Sequence, residues 1–199
     1  MQTILFCRFS YPAEGGFQVD HDTIEARRAL LYAPERMARR FALFEHLCLP
    51  GLKAQTDPDF DLVVLVGTCL PTAYRTRLEG LMRDLPQARI VARDPGPHRQ
   101  VCQTVLTAAR KHINTPCLQV RHDDADALAV DFVARLRKAA TDCQALLRDH
   151  PLVGFDWNRG YILRASDVAR FEISETVAPY LGLAQGMAVQ GGVRKTLMN

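Results

Sequence analysis

The sequence holds one tryptophan in 199 residues, no Cys-x-x-Cys pair and no apolar run near the roughly 18 residues that a membrane span needs. The last of these gaps excludes a transmembrane helix. The start, Met1-Gln2-Thr3-Ile4-Leu5-Phe6-Cys7, lacks a basic region and reads as a strand rather than a signal peptide. Gly-x-x-x-x-Gly-Lys, Gly-x-Gly-x-x-Gly and Gly-x-Ser-x-Gly are all missing, which removes the P-loop, the dinucleotide fingerprint and the nucleophile elbow. There is no internal repeat and no low-complexity segment.

What is present is ordinary globular material: 48% apolar, 24% charged and 8% aromatic residues. A chain of this length buries roughly 70% of its unfolded surface, so its core needs no disulfide or structural metal. Its six cysteines are scattered, four of them in apolar segments, and read as reduced core thiols of an intracellular, cytoplasmic chain. The net charge of +3 comes from dispersed arginines without a basic tail, so no nucleic-acid partner is expected.

Apolar runs alternate with helical periods. Ile4–Cys7, Leu62–Gly67, Arg89–Arg93, Cys117–Arg121 and Leu152–Trp157 read as strands. Asn158-Arg159-Gly160 then signals a turn into Tyr161–Leu163. Leu62–Gly67 does not alternate, which suits a strand covered on both faces in a parallel sheet. Between the strands, helical spacing predicts helices over 23–32, 34–49, 71–84, from Pro97, and 130–148. The 34–49 helix is expected to stop at Pro50-Gly51. Tyr11–Asp22 reads as a polar loop, and Ser166–Asn199 as a less regular C-terminal segment. The fold class is therefore α/β, a mostly parallel Rossmann-type sheet flanked by helices.

Ligands of such sheets bind beyond the carboxyl ends of the strands. Arg8-Phe9-Ser10, Gly67-Thr68-Cys69, Arg93-Asp94 and His122-Asp123-Asp124-Ala125-Asp126 lie there. Three carboxylates within four residues repel one another unless cations or donors sit among them. Asp124 and Asp126 form an Asp-x-Asp that suits Mg²⁺ or Mn²⁺ shared with phosphates. Helix capping explains the same residues. His122, beside carboxylates, is expected to favour its protonated form and to make a simple hydrogen bond. Trp157 can stack on a sugar or belong to the core. Arg27, Arg28, Arg36, Arg39 and Arg40 read either as a solvated helix face or as a surface for acidic lipid-linked acceptors and peripheral membrane contact.

The Asp-x-Asp after a central strand resembles the GT-A class of nucleotide-sugar glycosyltransferases. A closer resemblance lies in Arg40-Phe41-Ala42-Leu43-Phe44-Glu45, Cys48–Asp57, Leu70-Pro71, Val120–Leu128 and Asp131-Phe132-Val133. In order and spacing these are similar to the bacterial putative rhamnosyltransferase family, from about residue 4 to about 165. The resemblance implies a GT-A-like donor-binding domain over 1–165. Residues 166–199 would belong to that domain or to a shortened acceptor region. It implies transfer of a sugar, rhamnose by the family name, from a nucleotide-sugar donor to a glycan or lipid-linked acceptor. In that scheme Asp124 and Asp126 hold Mn²⁺ or Mg²⁺, while Arg8, Ser10, Asp94, Arg121 and Asp123 contact the donor, with Arg121 alternatively pairing with the acidic cluster. Asp156 is the first choice of base, ahead of Glu172 and Glu175. Two features depart from the family pattern: His122 and Ala125 interrupt the acidic run, and no histidine follows His150. They support an alternative, a non-catalytic or truncated relative acting as a nucleotide-sugar or protein-binding module. A sugar-phosphate nucleotidyltransferase would need a Gly-rich basic loop after the first strand, where Arg8–Pro12 stands instead.

Overall fold

The computed structural model describes residues 1–16, 23–166, 170–180 and 182–198. The expected loop over 11–22 therefore runs onto residues 17–22 outside the described residues, as do 167–169, 181 and 199 of the C-terminal segment.

Strands β1 (Gln2–Arg8), β2 (Asp61–Gly67), β3 (Ala88–Arg93), β4 (Cys117–Asp123), β5 (Leu152–Phe155) and β8 (Gly186–Val189) form one sheet in the order β3-β2-β1-β4-β8-β5. The first four strands are mutually parallel, and β8 runs antiparallel to both β4 and β5. The expected mostly parallel sheet is the observed one. Every residue from Leu62 to Val66 is buried, because helices cover both faces.

The helices are α1 (Ile24–Leu31), α2 (Pro34–Leu43), α3 (Leu49–Lys53), α4 (Thr72–Leu81), α5 (His98–Ala109), α6 (Phe132–Asp142) and α7 (Gln144–Asp149). One face of the sheet packs Leu5, Cys7, Val64 and Val120 against Met37, Phe41, Phe44, Leu78 and Leu136. The other packs Ile4, Phe6, Val63 and Leu65 against Cys102, Val105 and Leu106 of α5. Phe9, just past β1, packs tilted against Phe41 at 5.0 Å and edge-on to Phe44 at 5.3 Å, which holds α2 and the residue after it over the carboxyl end of β1.

Three local expectations are corrected. Pro50-Gly51 does not end the helix. A π-turn over Phe44–Cys48, in which Leu49 N–H donates to Phe44 C=O, resets the ladder. Pro50 then falls in the first turn of α3, where a missing N–H costs little. A Cβ on Gly51 would lie 2.5 Å from Leu128 C=O, so glycine lets the loop after β4 approach this helix. The helix expected over 130–148 breaks at Cys143 into α6 and α7. The turn expected at Asn158-Arg159-Gly160 is replaced by strand, since Arg159 and Gly160 open β6 (Arg159–Ser166), which holds Tyr161–Leu163 and, among the described residues, pairs with β7 (Arg170–Val177) in a separate two-stranded ribbon.

The late strand β8 enters between β4 and β5. Its exit is anchored by the buried Arg110, which donates to the carbonyls of Val193 at 2.6 Å, Ile113 at 2.8 Å and Thr115 at 2.9 Å.

Candidate functional site

β4 runs two residues beyond its expected end, so His122 and Asp123 still alternate across the sheet. Parallel pairing sets Arg8 opposite Asp123 and Cys7 opposite His122. Asp123 therefore meets the end of β1, and its two oxygens divide between two guanidiniums. Arg8 Nη2 donates to one at 3.2 Å and Arg121 Nη2 to the other at 3.2 Å. Burial alone would raise the Asp123 pKa, but these two cations hold it below the usual carboxylate value.

His122 points to the opposite face. It is 1% exposed, with Nε2 3.1 Å from Cys48 Sγ of the π-turn. Burial pushes its pKa down to about 4, so the imidazole is neutral. The expected protonated form is corrected, because desolvation outweighs the neighbouring carboxylate. Burial likewise pushes the Cys48 thiol up, and all six cysteines are unpaired.

Beyond β4 the chain turns, with Asp126 N–H donating to Asp123 C=O at 3.1 Å. Asp124 is 5% exposed and accepts from Arg40 Nη1 at 3.1 Å. One turn earlier on α2, Arg36 Nη1 donates to Ser10 Oγ at 2.9 Å and to Leu31 C=O at 2.8 Å. Ser10 itself is buried with φ 49°, a left-handed conformation that costs a non-glycine residue energy. Burial raises Asp124 and Asp126 to about 6 each, with the neighbouring carboxylate charges adding to both.

The arginines of α1 and α2 are thus not one solvated face. Arg27 is buried and donates to Ala13 C=O, Arg36 holds Ser10, and Arg40 holds Asp124. The usable signal was the spacing: Arg36 and Arg40 stand at i and i+4, on the side of α2 that faces the sheet edge. His98, also unanticipated, starts α5 and accepts at Nε2 from Arg8 Nη1 at 2.6 Å.

Asp94 follows β3 and accepts from Thr68 Oγ1 just past β2, while its carbonyl accepts from Tyr11 Oη at 2.6 Å. Asp156 follows β5 but is exposed, and its carboxylate accepts from Tyr180 N–H at 2.9 Å rather than from the Arg8–Asp123 group. Glu172 and Glu175 lie exposed on β7. Trp157 packs edge-on to Phe132 at 5.8 Å with Arg135 over its ring at 5.4 Å, a structural setting.

Among the described residues, no three His, Cys, Asp or Glu side chains group as metal ligands. Asp124 and Asp126 together offer what a hard cation needs when phosphates supply other oxygens, although Arg40 already engages Asp124.

This strand-edge cluster falls within a family match that spans nearly the whole chain. The family described as "Putative rhamnosyl transferase" matches residues 2–199. The chain belongs to that family. No curated protein matches it. Among solved structures, S. aureus TarS 1-349 is similar at 11% identity and a TM-score of 0.41, over 77% of this chain and 34% of that one. S. aureus TarS 1-349 in complex with UDP-GlcNAc is similar at 11% identity and a TM-score of 0.42, over 76% and 33%. The family member described here thus spans about a third of the length of those structures. Within it, Arg8, Arg121 and Asp123 share one ion-pair group at the ends of β1 and β4, Ser10 and Asp124 are held from α2 by Arg36 and Arg40, and Asp156 makes its contact elsewhere. No helix among the described residues is long and apolar enough to cross a membrane.

Proposed function

We propose that this chain binds a nucleotide sugar and transfers its sugar, rhamnose by the family name, to a glycan or lipid-linked acceptor. The observation that carries this reading is the convergence of Arg8 and Arg121 on one carboxylate at the carboxyl edge of a parallel sheet. Two guanidiniums sharing Asp123 leave positive charge over, and their remaining N–H groups suit a diphosphate. Family membership supports the same chemistry.

In this reading Arg8 and Arg121 contact the diphosphate, and Ser10, Asp94 and Asp123 contact the rest of the donor. Asp124 and Asp126 hold Mg²⁺ or Mn²⁺ together with the donor phosphates, Arg40 giving up its hold on Asp124. When bound, the cation supplies charge neutralisation at the departing diphosphate. In this reading Asp156, exposed and accepting from Tyr180 N–H, acts as the base.

Calorimetry with UDP, dTDP and GDP, with and without Mn²⁺, tests the reading. Binding of one nucleotide should strengthen with the cation, and Asp126→Ala should remove that gain. No binding in any combination defeats it.

A further inference from the structure

We propose that His98 is a positioning residue that fixes the Arg8 guanidinium toward an anionic ligand, the donor diphosphate if the reading above holds.

Arg8 is gripped at both ends of its fork: Nη2 by Asp123 at 3.2 Å and Nη1 by His98 at 2.6 Å. A guanidinium only donates, so His98 Nε2 must be an unprotonated acceptor and the ring proton must sit on Nδ1. The surroundings enforce that state. Burial and the nearby Arg8, Arg121 and Arg99 all disfavour imidazolium.

The backbone that carries the ring is itself held in place. His98 N–H donates to Glu14 C=O at 2.9 Å, and Glu14 N–H donates to Gly96 C=O at 2.9 Å. This stitches the segment after β1 to the start of α5. Gly16, at φ +75°, leaves room for the ring: a Cβ there would lie 2.5 Å from His98 Cγ. A neutral acceptor orients Arg8 without cancelling its charge. A carboxylate in the same place would have neutralised it. Arg8 and Arg121 keep one carboxylate between them, and the three uncommitted Arg8 N–H groups are pre-aimed, which lowers the ordering cost of binding an anion.

The test combines nitrogen-detected NMR of the arginine side chains with calorimetry against UDP, dTDP and GDP. Wild type, His98→Ala, His98→Gln, Arg8→Met and the His98→Ala/Arg8→Met double variant are compared. Gln can place Oε1 near the Nε2 position. The Arg8 signals should show restricted rotation in wild type and His98→Gln and averaged rotation in His98→Ala. Affinity should fall about tenfold in His98→Ala, as for a lost charge-assisted contact. His98→Gln should recover most of it, and the double variant should bind no more weakly than Arg8→Met alone. Unchanged Arg8 signals in His98→Ala overturn the proposal, as does a further loss of affinity in the double variant. If wild type binds none of the three nucleotides while the Arg8 signals behave as expected, the donor reading falls and the positioning of Arg8 stands.

Discussion

Gln55 controls the loop that carries Asp124 and Asp126, and replacing it by methionine keeps the volume while removing every hydrogen bond. Its amide is 8% exposed. Nε2 donates to Gly51 C=O at 2.8 Å and Ala129 C=O at 2.7 Å, and Oε1 accepts from Val133 N–H at 3.0 Å. The last bond serves as a cap from a distance, because the N-cap residue of α6, Asp131, makes no side-chain cap bond. Val133 is fully buried, so its N–H has no water to turn to. An orphaned buried donor costs about 1–3 kcal/mol. Ala129 C=O also accepts from Phe132 N–H, so the carbonyls lose less, about 0.5–1 kcal/mol each. The sum is about 2–5 kcal/mol, against a typical total of roughly 5–15 kcal/mol. For a chain of this size each kcal/mol moves Tm by about 2–4 °C. Gln55→Met should therefore lower Tm by about 5–15 °C and the urea midpoint in proportion. A change under about 1 kcal/mol would show that the three bonds are replaceable and that the loop is held by other means.

Other outcomes follow from the same geometry. Gly51→Ala should destabilise the chain by about 1–3 kcal/mol in urea unfolding, because the new methyl meets the Leu128 carbonyl rather than a side chain that can move. Arg40→Met should cost about 1–2 kcal/mol, since it strands a carboxylate that is 5% exposed, and a double-mutant cycle with Asp124→Asn should recover part of that loss. His98 has its pKa lowered from 6.5 to about 4, so its contribution to stability is complete above pH 6.5 and is lost as pH falls toward 4. His98→Gln should flatten the acid side of a stability–pH curve in that window, and an unchanged slope would contradict the assignment.

The strands of the sheet's parallel half could be read from the residues because burial on both faces forces unbroken apolar runs such as Leu62–Val66. β8 escaped the same logic: it is four residues long, includes a glycine and an alanine, and runs against its neighbours. Its identity depends on the gap between β4 and β5, which no local pattern reports. Pro50-Gly51 misled because a π-turn upstream absorbed the break. At the site, Asp123 and Asp124 drew attention as a cluster of like charge, and Arg121, two residues from Asp123, was a legible partner for it, whereas the distant partners were hidden. Arg40 lies 84 residues from Asp124 and His98 lies 90 from Arg8, so only the register of β1 against β4 and the packing of α2 and α5 bring them together.

The antiparallel strand at residues 186–189 has a consequence for how the chain is made. Strands β4 and β5 have emerged from a ribosome long before their shared partner, and until it arrives their facing edges carry unpaired N–H and C=O groups. Until residues 186–189 are made, β5 has no ladder partner that ties it to β4. A fragment ending at residue 165 would lack the strand that joins β5 to the rest of the sheet.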